Sequence, residues 1–113
     1  MANQFWQDLQ IELDDPEFAR AYAAESIRVA TLDAVVNQLD DLRETAHLSK
    51  AALARAIGAD PSVVRRLFSS SSANPTLGTL AEVAAALGMK VALVPMEAEE
   101  RQRITEPLLA SAR

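Results

Sequence analysis

The chain of 113 residues supplies one compact domain and a short appendage, and half of it is apolar, mostly alanine and leucine, so a core can form without cross-links. It has no cysteine, which excludes disulfides, thiolate zinc sites and thiol nucleophiles. Its one histidine, His47, leaves little for an imidazole metal site or a Ser-His-Asp triad. A net charge of −5 runs against the basic footprint usual for nucleic-acid binding, but the charge is segregated. Residues 1–48 sum to −7, residues 49–96 to +3 and residues 97–113 to −1, which suggests two faces with different partners. The five aromatic residues are Phe5, Trp6, Phe18, Tyr22 and Phe68; so few, with so much alanine, favour helices over a sandwich or barrel. No apolar run approaches the roughly 18–20 residues that span a bilayer. The opening MANQFWQDLQ has neither the basic start nor the apolar block of a signal peptide. The expected protein is soluble and cytoplasmic, with no cofactor motif and no catalytic cluster.

Residues 1–15 carry Phe5, Trp6, Leu9, Ile11 and Leu13 before Asp14-Asp15-Pro16. Asp15 is a natural N-cap, with Pro16 at the first helical position and Glu17 in the positive first turn. From there to about Thr45 no glycine or further proline intervenes. The pattern predicts either one long helix or two helices meeting near Thr31. His47-Leu48-Ser49 then breaks the periodicity, and Ser49 caps a short helix from Lys50 to Ile57. After Gly58-Ala59, Asp60 caps and Pro61 opens a second short helix ending about Phe68. Ser69–Ser72 and Asn74-Pro75 read as a loop. Thr76 caps a helix from Leu77 to Leu87, stopped by Gly88. Lys90–Met96 predicts a short β-strand confined by Pro95 to an edge or an end. Residues 97–113 predict a frayed tail or weak helix. The expected organisation is a helical N-terminal extension over 1–31, a domain over 32–96 with its terminal strand, and a polar tail over 97–113.

Leu48–Phe68 is the informative segment. Two short helices crossing near a right angle need a small residue at the contact, a turn residue free to take φ > 0 and an apolar plug from the second helix. Ala54, Gly58 and Val64 stand in those places. Leu53, Ile57 and Leu67 complete the inner faces, which leaves Lys50, Ser62, Arg65, Arg66 and the serine loop outside as a cationic surface rich in donors. The same charges would serve equally as a solvated face if they did not share one side of this motif.

SKAALARAIGADPSVVRRLF resembles the helix-turn-helix of Xre-type, lambda-repressor-like regulators, and NPTLGTLAEVAAALGMKV resembles the helix that follows it there, a likeness covering about residues 32–96. DPEFARAYAAE and KVALVP look like features of HigA-type antitoxins, small regulators paired with a RelE/HigB-like mRNA-cleaving toxin. The resemblance implies a mainly α, lambda-repressor-like bundle that represses transcription at a double-stranded operator, as a homodimer. It places the second short helix, Asp60 to Phe68, with Pro61 and Ser62 at its head, in the major groove. Ser62 and Arg66 fall at base-contacting positions, Lys50 at the groove or a phosphate, and Arg65 at a base or the backbone. Ser69, Ser70 and Asn74 fall where the family binds phosphate. Two departures stand out: Pro61 replaces the usual polar residue opening the recognition helix, and the glutamate and glycine that often close it are absent. A basic toxin would meet the acidic N-terminal segment, with Phe5, Trp6, Leu9, Phe18 and Tyr22 as apolar anchors. A stand-alone regulator and an interaction module that retains the fold without binding DNA are the competing readings.

Overall fold

The computed structural model describes residues 2–69, 74–110 and 112–113. Helix α1 (Ala2–Leu13) is followed by a two-residue break and α2 (Pro16–Thr45). The break forms where expected: the Asp15 carboxylate accepts the Glu17 N–H at 3.0 Å, and Pro16, with no N–H to leave unpaired, takes the first helical position. Helix α2 runs unbroken through Thr31, so the single-helix alternative is the one realised. Nothing in that stretch removes a donor or demands positive φ. Along its surface Arg28 pairs with Glu25 at 2.6 Å, and the same hydrogen-bonded carboxylate raises the Arg28 pKa. Both groups are well exposed, so the pair adds little to stability.

Helices α2, α3 (Lys50–Ala56) and α5 (Leu77–Ala86) end in one way. At the end of α2 the Leu48 N–H reaches back to the Arg43 carbonyl and the His47 N–H to that of Glu44. At the end of α3, Ala59 bonds to Ala54 and Gly58 to Arg55; at the end of α5, Met89 bonds to Ala84 and Gly88 to Ala85. Each is a Schellman closure, which needs left-handed backbone at the turning residue. Gly58 (φ 66°) and Gly88 (φ 78°) take it freely; His47 (φ 57°) takes it against the crowding of its Cβ. Starts are equally regular. Ser49 accepts from the Ala52 N–H at 3.0 Å, Asp60 from Ser62 at 2.9 Å at the head of α4 (Pro61–Ser69), and Thr76 from Thr79 at 3.1 Å.

Residues 31–93 form one unit. Its core gathers Leu39 of α2, Leu53 and Ala54 of α3, Val64 and Leu67 of α4, and Val83 and Ala84 of α5, with Phe68, Leu80 and Leu87 packed around them. Leu53, Val64 and Val83 are fully enclosed, and burial of such side chains contributes about 1.5–3 kcal/mol each. Ala54 is equally enclosed, at the contact between the two short helices, where a larger side chain would hold them apart.

The second unit joins residues 1–30 and 94–113, with Ala23 and Ile104 its buried apolar residues among those described. Its C-terminal part is helical: α6 (Ala98–Glu100) passes through a π-helical turn (Arg101–Thr105) into α7 (Glu106–Ala110). Pro107 explains the wider turn, because a proline ring crowds the carbonyl four residues back, here that of Arg103.

The expected terminal strand is absent: no strand forms among the described residues, and Lys90–Met96 is neither helix nor ladder. Strand-forming side chains do not suffice where the bundle offers no edge to satisfy the segment's N–H and C=O groups. Leu93 is accordingly 100 % exposed and Val94 82 %. A mainly helical bundle with a C-terminal β-strand is therefore corrected to a helical protein with an unpaired linker at that place.

Candidate nucleic-acid interface

Helix α4 turns Val64 and Leu67 into the core and leaves Arg65 and Arg66 exposed, with Ser62 half-buried. Ser62, Arg65, Arg66 and Ser69 recur at spacings of three and four, so they line the side away from the core. Nine residues make a helix roughly 13 Å long, comparable with the width of a DNA major groove. The Asp60 carboxylate anchors its first turn. Its pKa is lowered chiefly by the hydrogen bond from the Ser62 backbone N–H, then by the Ser62 hydroxyl, with the Arg65 charge adding to them.

Among the described residues the ion pairs are Arg28 with Glu25 and Arg43 with Asp40 and Glu44; Lys50, Arg55, Arg65 and Arg66 take part in none of these. Lys50 begins α3, half-buried, directly after the Ser49 cap. Arg66 and Asn74 come together along a small cleft of about 180 Å³ between α4 and the head of α5, which Val63, Pro75 and Thr79 also line. Ser69 belongs to the last turn of α4 and not to the loop, and its hydroxyl donates to the Arg65 carbonyl. Ser70 lies outside the described residues. Pro61 is exposed at the head of α4.

Two residues central to the site's support went unnoticed in the sequence. Arg43 is a nearly covered cation: its side chain is 13 % exposed, binds Asp40 at 2.9 Å, donates to the Leu48 carbonyl at 2.8 Å and lies over the Phe68 ring. Only its spacing of three from Asp40 hints at this. Thr79 shares a 3.0 Å hydrogen bond with the Thr76 hydroxyl and borders the cleft beside Arg66.

The partner-binding candidates lie in the other unit. Phe5 and Trp6 meet edge to face at 5.2 Å and remain 62 % and 61 % exposed. Phe18 stacks with Tyr22 at 6.2 Å; Tyr22 is exposed, whereas Phe18 and Leu9 are half-buried.

Two short helices joined through a left-handed glycine, with a third packed behind them and an exposed arginine pair on the second, define a helix-turn-helix module. Residues 39–94 match the helix-turn-helix family model HTH_3, and they constitute an Xre-type, lambda-repressor-like domain, the DNA-binding domain of transcription regulators. No curated protein and no solved structure matches the chain. No helix among the described residues is long and apolar enough to cross a membrane.

Proposed function

We propose that the protein is a sequence-specific transcriptional repressor and the antitoxin of a HigBA-like pair, neutralising an mRNA-cleaving toxin and autoregulating its operon. The observation that carries the DNA-binding part is the exposure of Arg65 and Arg66 on α4 above the enclosed Val64 and Leu67. An arginine fork matches the N7 and O6 of guanine, and Ser62 lies one turn away on the same side. Lys50 supplies a further cation near the groove or its phosphates, and Asn74 a polar group beside Arg66. Two half-sites read by two copies make a homodimer the simplest assembly on the operator. Residues 49–96 carry +3 in a chain of −5, so non-specific attraction to DNA is weak and base contacts supply a large share of the affinity.

The antitoxin role is supported by the resemblance of the N-terminal segment and by the composition of the second unit, which is acidic and presents exposed Phe5, Trp6 and Tyr22. A toxin that acts on mRNA needs a basic surface, to which this unit is complementary. The test is a titration of the full chain against duplexes from its own promoter, with single-base variants, at fixed salt. Beside it, the chain is co-expressed with the toxin-like protein encoded next to it. Sequence-specific binding with co-purification of that protein supports both parts. Specific binding without co-purification makes the chain a stand-alone Xre-type regulator, and no specific binding removes the repressor reading.

A further inference from the structure

Helices α1, α2 and α7 and the C-terminal π turn border an open cleft of about 460 Å³ within the unit formed by residues 1–30 and 94–113. Trp6, Leu9 and Leu13 form its α1 side, Tyr22 with Ala19 and Ala23 its α2 side, and Pro107 of α7 lines it as well. The two alanines, four residues apart on α2, leave room that larger side chains would fill. The polar lining is Gln10, Gln102 and Arg103, each able to donate a hydrogen bond. A volume of this size, with apolar walls and a few convergent donors, has the character of a binding site.

We infer that this cleft is the seat of an apolar anchor side chain on a basic amphipathic helix of a partner protein. Three observations choose that occupant. The apolar surface extends beyond the cleft: Trp6 stays 61 % exposed although it lines the wall, and Phe5, edge to face against it, is 62 % exposed. A small molecule seated in the cavity would leave that surface wet, whereas a helix laid along α1 covers it. The unit bears ten carboxylates against five arginines, and one of those, Arg28, is already paired with Glu25. That excess attracts a cationic partner and opposes an anionic one. The donors at the lining suit the free carbonyls at the C-terminal end of a helix. This inference rests on the partner reading above and gives it a location.

Trp6 is the only tryptophan of the chain, so its emission reports occupancy directly. The full chain is titrated with a synthetic Leu/Lys peptide whose leucines recur at helical spacing. A scrambled peptide of the same composition and the anionic amphiphile decanoate serve as comparisons. The expected result is saturable one-to-one binding with a blue shift of Trp6 emission, weakened by added salt. Ala19→Phe, which fills the cleft, should weaken it about tenfold, a loss of ~1.4 kcal/mol. Helicity by circular dichroism checks that this variant folds, and Leu9→Gln on the opposite wall makes the same test independently. Equal binding of the scrambled peptide, indifference to both variants, or a response to decanoate alone would each overturn the assignment. A toxin that co-purifies with Ala19→Phe as well as with the parent chain would place the partner's contact elsewhere while leaving the antitoxin reading intact. Peptide binding without any toxin partner would do the reverse. Arg66→Ala should leave the peptide titration unchanged.

Discussion

The guanidinium of Arg43 lies over the ring of Phe68, 5.8 Å from carbon to ring centroid, so the end of α2 grips the last turn of the helix that carries the arginine pair. The same guanidinium holds Asp40 on its own helix and the Leu48 carbonyl just before α3. One side chain thereby ties α2, the residue pair before α3 and the last turn of α4 together.

Arg43→Ala should destabilise the domain by about 2 kcal/mol, because hydrogen bonds to a charged group contribute roughly 1.5–3 kcal/mol and the cation–π contact about 0.5–1 kcal/mol. Arg43→Lys should recover only part of this, since an ammonium cannot fork between Asp40 and the carbonyl while stacking on the ring. Urea unfolding followed by circular dichroism measures both; Trp6 emission does not serve, because Trp6 belongs to the other unit.

The three Schellman closures make a second prediction. His47→Gly should stabilise the chain by up to about 1 kcal/mol by relieving the left-handed strain at φ 57°. Gly58→Ala should cost about 1 kcal/mol for the opposite reason. Beyond its chain neighbours no atom lies within 4 Å of where its Cβ would stand, so the penalty is that of the local backbone conformation alone. Thermal unfolding of the two variants should shift in opposite directions from the parent.

Arg66→Ala should lower operator affinity by about 1–3 kcal/mol and flatten the preference at one base position in each half-site. Lys50→Ala should weaken all duplexes alike and reduce the salt dependence if it meets phosphate. Ser69→Ala should leave affinity nearly unchanged, because that hydroxyl donates to the Arg65 carbonyl. Fluorescence-anisotropy titrations against operator and single-base variants at fixed salt separate the three.

Asp60 gives the pH prediction. Its folded pKa is lowered by the Ser62 N–H and hydroxyl and by Arg65, so its stabilising effect is complete above the ordinary aspartate value of about 3.9. It fades as acid carries the pH down through the lowered folded value. Asp60→Asn keeps an N-cap acceptor without the titration, so its urea midpoint should fall less steeply on acidification than the parent's.

What could be read before folding was local. Asp15-Pro16, Ser49, Asp60-Pro61 and Thr76 start helices because each side-chain oxygen meets an N–H two or three residues on, within reach of sequence spacing alone. Gly58 and Gly88 end them for an equally local reason, and the inward stripe of Leu53, Ala54, Val64 and Leu67 follows from helical period. The features that escaped depend on neighbours distant in the chain. Arg43 finds Phe68 twenty-five positions on, and Arg66 lines one cleft with Asn74, a meeting that spacing does not specify. Ile104 is buried in a tail that reads as polar. Lys90–Met96 shows the limit most clearly: its side chains suit a strand, but a strand exists only where another edge accepts its hydrogen bonds, and this helical chain presents none among the described residues.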